Sequence, residues 1–225
     1  MSEFQYYEFV AIDRPLSATA QKQLRSITSR ATITSTRLVN TYEWGDFKAD
    51  PRELVAKHFD AFLYYANWGT RRLMLRIPSV RLDPKVAKQY CAVLTGRSRD
   101  SRSVATVMAA GGNLVIDLWS ESESGDDWIA TEPGLLSALV PIRNELMAGD
   151  HRALYLGWQL RAQVGEIAIG TRPPPVPGGV GRLTGSQQAL VEFLRIDSIE
   201  ASRRANSVEA EGVETGNTSI RQQGQ

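Results

Sequence analysis

The sequence predicts an α+β fold, with a mixed or antiparallel sheet of about five strands and a C-terminal helical layer. Within residues 1–120, short segments of strand-like composition are interleaved with segments of helical periodicity. Between 132 and 164 the apolar residues follow a helical pattern only. Gly111 and Gly112 separate two strand-like runs, which indicates an antiparallel hairpin. Strands mixed with helices, followed by helices alone, are typical of α+β proteins.

Five segments have the composition expected of strands. In the clearest one, Leu73, Leu75 and Ile77 alternate with Arg72, Met74 and Arg76. This alternation predicts that one face is buried, while the other is wet or partly covered. The predicted strands cover 4–12, 34–44, 71–77, 103–109 and 113–119.

The predicted helices have recognisable starts. In the clearest case, Asp50 can accept the first free amide hydrogens, Pro51 has its φ angle preset, and Glu53 lies three residues after the cap. Pro141 is expected to break or kink the long helical region. The predicted helices cover 18–29, 50–65, 83–94, 132–164 and 186–196.

Residues 60–66 fit two structures. Apolar residues recur at intervals of three and four after Leu54, which extends the preceding helix to about Tyr65, and this interpretation is favoured. The stretch "AFLYYANW" is also aromatic enough for a strand, which would pair with 71–77 as a hairpin. The sequence leaves this alternative open.

The composition also predicts how the chain is organised. Prolines between 171 and 179 deny that segment a helix, and the residues after Ile199 include few large apolar groups. The apolar helices beyond residue 150 are expected to need a partner, which suggests a C-terminal region that is missing relative to related proteins. The predicted units are an α+β domain at 1–165 (sheet within 1–120, helical layer at 132–164), a Pro/Gly-rich linker at 166–185, a short helix at 186–197 and a disordered tail at 198–225.

Composition predicts a cytoplasmic protein that does not enter membranes. The chain has 225 residues and a single cysteine, so no intramolecular disulfide can form. The N-terminus lacks a basic start followed by an apolar run, and no stretch reaches 18 uninterrupted apolar residues. The net charge of +1 provides no overall attraction to nucleic acid or anionic lipid.

Charge is unevenly distributed along the chain. The segment from Arg71 to Arg102 carries nine basic and two acidic residues, whereas the segment from Asp117 to Asp150 carries eight acidic and one basic. One interpretation is that the basic and acidic segments face each other or spread over different surfaces of the protein. The alternative interpretation is that the basic segment forms a face that binds an anion.

No recognised catalytic, metal or phosphate motif occurs in the sequence. His58 and His151 lie far apart on apolar helical stripes, and Cys91 is expected to be a buried, inert thiol. There is no nucleophile elbow and no phosphate-binding loop. The prediction is therefore no metal and no cofactor, and catalytic residues remain unknown.

The sequence offers one set of candidate contacts for an anion or a partner. Arg72 and Arg76 would share one strand face, about 13 Å apart at roughly 3.3 Å per residue. They could grip an extended anion, or meet carboxylates of the segment 117–150. The candidate residues are Trp68, Arg71, Arg72, Arg76 and Arg81.

Two stretches, "FDAFLYYANWGTRRLMLRIP" (59–78) and "HRALYLGWQL" (151–160), resemble an uncharacterised family of bacterial proteins of unknown function. The resemblance runs from about Tyr6 to Ile196. It implies no activity, cofactor or binding residue. The tail from about Ser198 departs from the family pattern, in line with an altered or missing C-terminal region.

Three functions are compatible with these features. The first is a non-catalytic protein-interaction module, whose partner is another protein or a missing C-terminal region. The second is an enzyme with an arginine/carboxylate site, which a pocket combining Arg72 or Arg76 with an acidic residue would favour. The third is nucleic-acid binding through the basic residues of 71–102. The absence of catalytic motifs favours the first function.

Overall fold

A computed structural model describes residues 4–95, 103–122, 134–168 and 170–197. These residues form one mixed sheet with helices packed on both of its faces. The strands are β1 (Gln5–Val10), β2 (Thr32–Ile33), β3 (Arg37–Tyr42), β4 (Ala61–Ala66), β5 (Arg71–Pro78), β6 (Ala92–Leu94), β7 (Ala105–Ala110) and β8 (Asn113–Ser120). The helices are α1 (Ala18–Ile27), α2 (Pro51–Lys57), α3 (Pro84–Tyr90), α4 (Leu135–Leu139), α5 (Pro141–Met147), α6 (Arg152–Gln163) and α7 (Gly185–Leu194).

The sheet has eight strands in the order β2-β3-β1-β4-β5-β8-β7-β6. Only the β6–β7 pair is parallel within the described strands. The α+β class and the mixed sheet are confirmed, but the count of about five strands was wrong. Strands β2, β4 and β6 were missed. Strands β2 and β6 have two and three residues, which is too short to show alternation, and β6 takes the end of the helix predicted to reach Leu94.

The favoured helix over residues 60–66 was wrong, and the hairpin alternative is confirmed. Helix α2 ends at Lys57, and β4 pairs with β1 on one side and β5 on the other. Phe62 faces one side of the sheet and Leu63 the other, and both are buried. A strand buried on both faces shows no polar alternation, so its unbroken apolar run imitates a buried helix.

The sheet separates two apolar clusters. One cluster contains Leu63, Leu73 and Leu75 beneath α3 to α7. The other contains Phe62 and Met74 beneath α1 and α2. The β5 face that was expected to be wet or partly covered is therefore covered where Met74 lies, and this side chain is fully buried.

The C-terminal helices complete the first cluster. Along α6 every residue from Ala153 to Leu160 is buried, and Gly157 allows the helix to approach Leu118 and Ala105 closely. The sequence predicts that α7 stands apart behind the linker; instead its Leu190, Phe193 and Leu194 are buried in the same cluster. The apolar helices beyond residue 150 thus find their partner in the sheet of the same chain.

Some predicted segments lie outside the described residues. These are the disordered tail at 198–225, residues 97–102 at the end of the basic segment, and residues 123–133 of the acidic segment. Among the helices that the structure describes, none combines the length and the apolar character needed to cross a membrane.

If α7 is part of the main core, replacing Leu190 with alanine will destabilise the whole protein. The side chain is fully buried, so we expect Leu190→Ala to lower the free energy of unfolding by about 2–5 kcal/mol. Gln188→Ala, on the exposed side of the same helix, should change it by less than about 0.5 kcal/mol. Urea unfolding measures both variants, and equal small effects would mean that α7 does not belong to the core.

Gly69 is expected to tolerate no side chain. Its φ angle is 103°, and a Cβ atom there would overlap the carbonyl oxygen of Ser122. Gly45 also has a positive φ, 85°, but a Cβ atom there meets open space. Gly45→Ala should therefore cost about 1–2 kcal/mol of stability from backbone strain, and Gly69→Ala at least about 1 kcal/mol more. Thermal unfolding of the two variants would contradict this if their losses were the same.

Candidate functional site

The structure does not bring the five predicted site residues together. Trp68 is 43% exposed, and its indole N–H donates to Thr70 Oγ1 at 3.0 Å. Arg71 donates to the carbonyl oxygens of Glu192 and Phe193, near the C-terminal end of α7. Their role as a shared contact for an anion or a partner stays a prediction.

Arg81 and Arg71 share one structural role, because each donates to carbonyl groups near a helix C-terminus. Arg81 Nη2 donates to the carbonyl oxygen of Met147, the last residue of α5, at 3.2 Å. Carbonyl groups in the last turn of a helix lack intrahelical partners, and basic side chains commonly satisfy them. These two arginines therefore fasten helices to the sheet.

Arg76 is paired with a buried carboxylate. Its Nη2 lies 2.7 Å from Asp60 Oδ1, while Asp60 Oδ2 accepts the backbone N–H groups of Ile12 and Asp13 at 2.6 and 2.9 Å. Burial alone would raise the pKa of Asp60, but the hydrogen bonds from Arg76 and the two amides outweigh it and hold the pKa below its ordinary value. The ion pair lies inside the protein, at the start of β4.

Arg72 is paired in the same way with Asp117. Its Nε and Nη2 donate to Asp117 Oδ1 and Oδ2 at 2.8 and 2.7 Å, a bidentate pair. Arg52, from α2, donates its Nε to Asp117 Oδ2 at 2.6 Å. The Asp117 side chain is 2% exposed. Burial would raise the pKa of Asp117, but the two guanidinium groups hold it below its ordinary value.

The two guanidinium groups line a pocket of about 340 Å³, hereafter the arginine pocket. Within the described part of the chain, neither the Nη atoms of Arg52 nor Nη1 of Arg72 has a hydrogen-bond partner. The pocket thus offers unused donors from two cations whose positions are already fixed. Its lining residues are Phe47, Lys48, Ala49, Asp50, Pro51, Arg52 and Arg72.

The loop that forms most of the arginine pocket is fastened to the sheet. Gln5 Nε2, on β1, donates to the carbonyl oxygen of Gly45 at 2.7 Å. The ring of Phe47 stacks on Tyr7, with ring centroids 5.2 Å apart. Asp50 then caps α2 by accepting the backbone N–H of Arg52 at 2.9 Å, so the helix begins where Arg52 can reach Asp117.

The pocket is suited to holding an anion rather than to moving protons. Asp117 already accepts three hydrogen bonds and its pKa is lowered. Burial raises the pKa of Tyr7, behind Phe47, to about 12, so it stays protonated at neutral pH. Three cations, Lys48, Arg52 and Arg72, line the pocket, and Asp117 lies behind two of them.

Of the four charged residues that build the arginine pocket and its support, the sequence predicted one. Arg72 was predicted, whereas Lys48, Arg52 and Asp117 were not. Asp117 gave a usable signal, because a single carboxylate in the apolar strand "NLVIDLW" must be paired if it is buried. The meeting of the basic and acidic segments was weighed beforehand, and Arg72 and Asp117 are one place where they touch.

A second pocket, of about 390 Å³, lies on the opposite face of the sheet. Glu8 is its buried carboxylate, and both oxygens are occupied: Arg37 donates to Oε1 and the Tyr6 hydroxyl to Oε2. The described residues contain no group of three or more His, Cys, Asp or Glu side chains that could hold a metal ion. The arginine pocket is therefore the stronger candidate site.

Comparison of the chain with protein families, with curated proteins and with solved structures gives no match. The resemblance to an uncharacterised bacterial family stays a prediction. Any function assigned to the protein must therefore rest on the geometry and electrostatics of its own residues.

Asp117→Asn tests the ion pairs behind the arginine pocket. The change leaves two guanidinium groups without their carboxylate, so we expect a loss of about 3–5 kcal/mol in the free energy of unfolding at pH 7. Because the pKa of Asp117 is lowered by folding, its contribution is present above its unfolded pKa of about 3.9 and disappears as pH falls through the lower folded value.

The difference between wild type and Asp117→Asn should therefore be largest near neutral pH and shrink below about pH 4. Urea unfolding between pH 7 and pH 3 measures it. Glu53→Gln, an exposed carboxylate on α2, serves as the control and should have almost no effect at any pH. A difference that is independent of pH would show that Asp117 is not ionised in the folded protein.

Proposed function

We propose that the protein is a non-catalytic interaction module that binds a partner protein through the arginine pocket. One observation carries the proposal: two guanidinium groups, held in place by one buried carboxylate, present unused hydrogen-bond donors to the same pocket. Guanidinium groups form their strongest hydrogen bonds with carboxylates and phosphates. The partner therefore contributes an anionic group.

The fixed position of the arginines supports binding. A free arginine side chain loses rotamer entropy when it is ordered by a ligand, which weakens binding. Asp117 has already ordered Arg52 and Arg72, and Gln5 has fastened the loop in front of them. An anionic group that binds to this pocket therefore causes little further loss of side-chain entropy.

The enzyme alternative is supported by the composition of the pocket but not by the pKa values of the groups near it. A pocket that combines Arg72 with an acidic residue is what that alternative requires. Proton transfer at neutral pH, however, needs a group whose pKa lies near 7. Asp117 and Tyr7 have pKa values moved away from neutrality, downward and upward respectively. This favours binding over acid–base catalysis at the pocket.

The nucleic-acid alternative is weakened by the internal bonds of the basic segment. Arg71, Arg72, Arg76 and Arg81 all donate to acceptors within the protein. Affinity for nucleic acid comes largely from the counterions that are released when basic side chains neutralise phosphates. Basic side chains that are already paired within the protein neutralise fewer phosphates and release fewer counterions. We therefore retain the proposal that the protein binds another protein in the cytoplasm.

A charge reversal at the edge of the pocket tests the proposal. Peptides selected from a random displayed library against the full-length protein should contain an acidic residue, and synthetic copies should bind Lys48→Glu at least about tenfold more weakly than wild type. Fluorescence anisotropy measures the dissociation constants. Lys22→Glu, an exposed residue on α1, makes the same charge change away from the pocket and should bind like wild type.

Two outcomes would overturn the proposal. One is a selection that yields no peptide bound by the wild-type protein. The other is a set of peptides that bind wild type, Lys48→Glu and Lys22→Glu equally, because the arginine pocket would then not be the binding site. Urea unfolding of both variants checks that they remain folded.

A further inference from the structure

We propose that residues 172–177, hereafter the proline segment, form a second binding surface. The segment presents a left-handed polyproline helix to a partner domain that has an aromatic-lined groove with an acidic side chain at one end. Its sequence is "RPPPVP", and it lies between α6 and α7. This surface goes beyond the proposed function, because it includes no residue of the arginine pocket.

The sequence of the proline segment dictates its backbone conformation. A proline fixes its own φ angle near about −65°, and it confines the residue before it to extended backbone. Each residue from 172 to 177 is a proline, precedes a proline, or does both. A polyproline helix rises about 3.1 Å per residue, so these six residues extend over roughly 19 Å, or two turns.

Burial along the proline segment has the period of a polyproline helix, which is three residues per turn. Pro174 and Pro177 are half-buried, whereas Pro175 and Val176 between them are exposed, as are residues 172 and 173. One edge of the helix therefore lies against the protein, and the other two edges face solvent.

The two exposed edges carry the side chains that an aromatic groove recognises. Arg172 and Pro175 share one edge, and Pro173 and Val176 share the other, because the members of each pair are three residues apart. Val176 is an apolar side chain that is 51% exposed. Proline-binding domains hold such a helix against the aromatic rings of a groove. The edge that a groove leaves uncovered is here held by the protein itself.

The proline segment is held in place before any partner binds. The Tyr90 hydroxyl donates to the carbonyl oxygen of Pro175 at 2.8 Å, and Tyr90 is buried in the cluster beneath α3 to α7. Just beyond the segment, Val180 is buried in the same cluster, and Arg152 Nη1 donates to the carbonyl oxygen of Gly179 at 3.3 Å. Because conformation and position are both fixed, binding costs little further backbone entropy.

Arg172 specifies the acidic feature of the partner groove. Its side chain is exposed at the start of the segment, and within the described part of the chain its guanidinium group has no hydrogen-bond or ion-pair partner. A carboxylate at one end of the groove would pair with this group. That pair also fixes the direction in which the segment lies along the groove.

The proline segment and the arginine pocket lie on opposite faces of the sheet. Tyr90, which holds the segment, belongs to the cluster beneath α3 to α7. The arginine pocket is lined by Arg52 of α2, and α2 covers the other cluster. Substitutions at one surface should therefore leave binding at the other surface unchanged.

The test uses the full-length protein and a panel of purified Src-homology-3 domains, whose grooves combine aromatic with acidic side chains. Each domain is isotope-labelled and titrated with the protein, and NMR identifies which of its residues shift. Calorimetry then gives the dissociation constants of wild type, Arg172→Ala and Val176→Ser. Arg182→Ala and Val80→Ser are matched controls, since they make the same changes at exposed positions outside the segment.

We expect at least one domain to bind, with shifts in the aromatic residues of its groove. Arg172→Ala and Val176→Ser should each weaken binding at least about fivefold, because one removes an ion pair and the other removes apolar surface that the groove buries. Arg182→Ala, Val80→Ser and the pocket variant Lys48→Glu should bind like wild type.

The inference is wrong if no domain of the panel binds the wild-type protein, because the proline segment then acts only as a rigid spacer between α6 and α7. It is also wrong if the control variants weaken binding as much as the segment variants, or if the shifts lie outside the groove. Neither result affects the arginine pocket, which Lys48→Glu tests with acidic peptides. Urea unfolding checks that every variant remains folded.

Discussion

The structure depends on two buried carboxylates that neutralise two arginines of one central strand. Arg72 and Arg76 both project from β5 toward the helices α1 and α2, into a region where Met74 between them is fully buried. A buried guanidinium group without a partner would strongly destabilise the fold. Asp117 on the neighbouring strand and Asp60 at the start of β4 supply the partners. This face of the sheet can be covered because both charges are compensated.

The same ion pairs position α2. Arg52 reaches Asp117 from the first turn of the helix, and Arg76 donates to the carbonyl oxygen of Ala56 near its end. The helix has only seven residues, too few to be stable alone, so these contacts and its buried apolar side chains hold it in place. These contacts also form the arginine pocket. Arg52, Arg72 and Asp117 therefore both stabilise the fold and build the proposed binding site.

Much of the fold could be predicted because local rules act at those elements. The five predicted strands, the caps at Asp50 and Asp83 and the break at Pro141 all rest on residues close in sequence. Strand β4 could not be identified with equal certainty. Its residues "AFLYYA" are apolar on both faces, and only pairing with β1 and β5 distinguishes such a strand from a buried helix.

The sequence by itself determined the α+β class, the order of most elements and the presence of arginines on β5 that need partners. Tertiary structure decided which partners they have. Asp117 is 45 residues from Arg72, and Arg52 is 65 residues from Asp117. A local pattern cannot specify such a meeting, because it depends on strand register and on where a short helix is laid across the sheet. The arginine pocket therefore exists only in the folded chain.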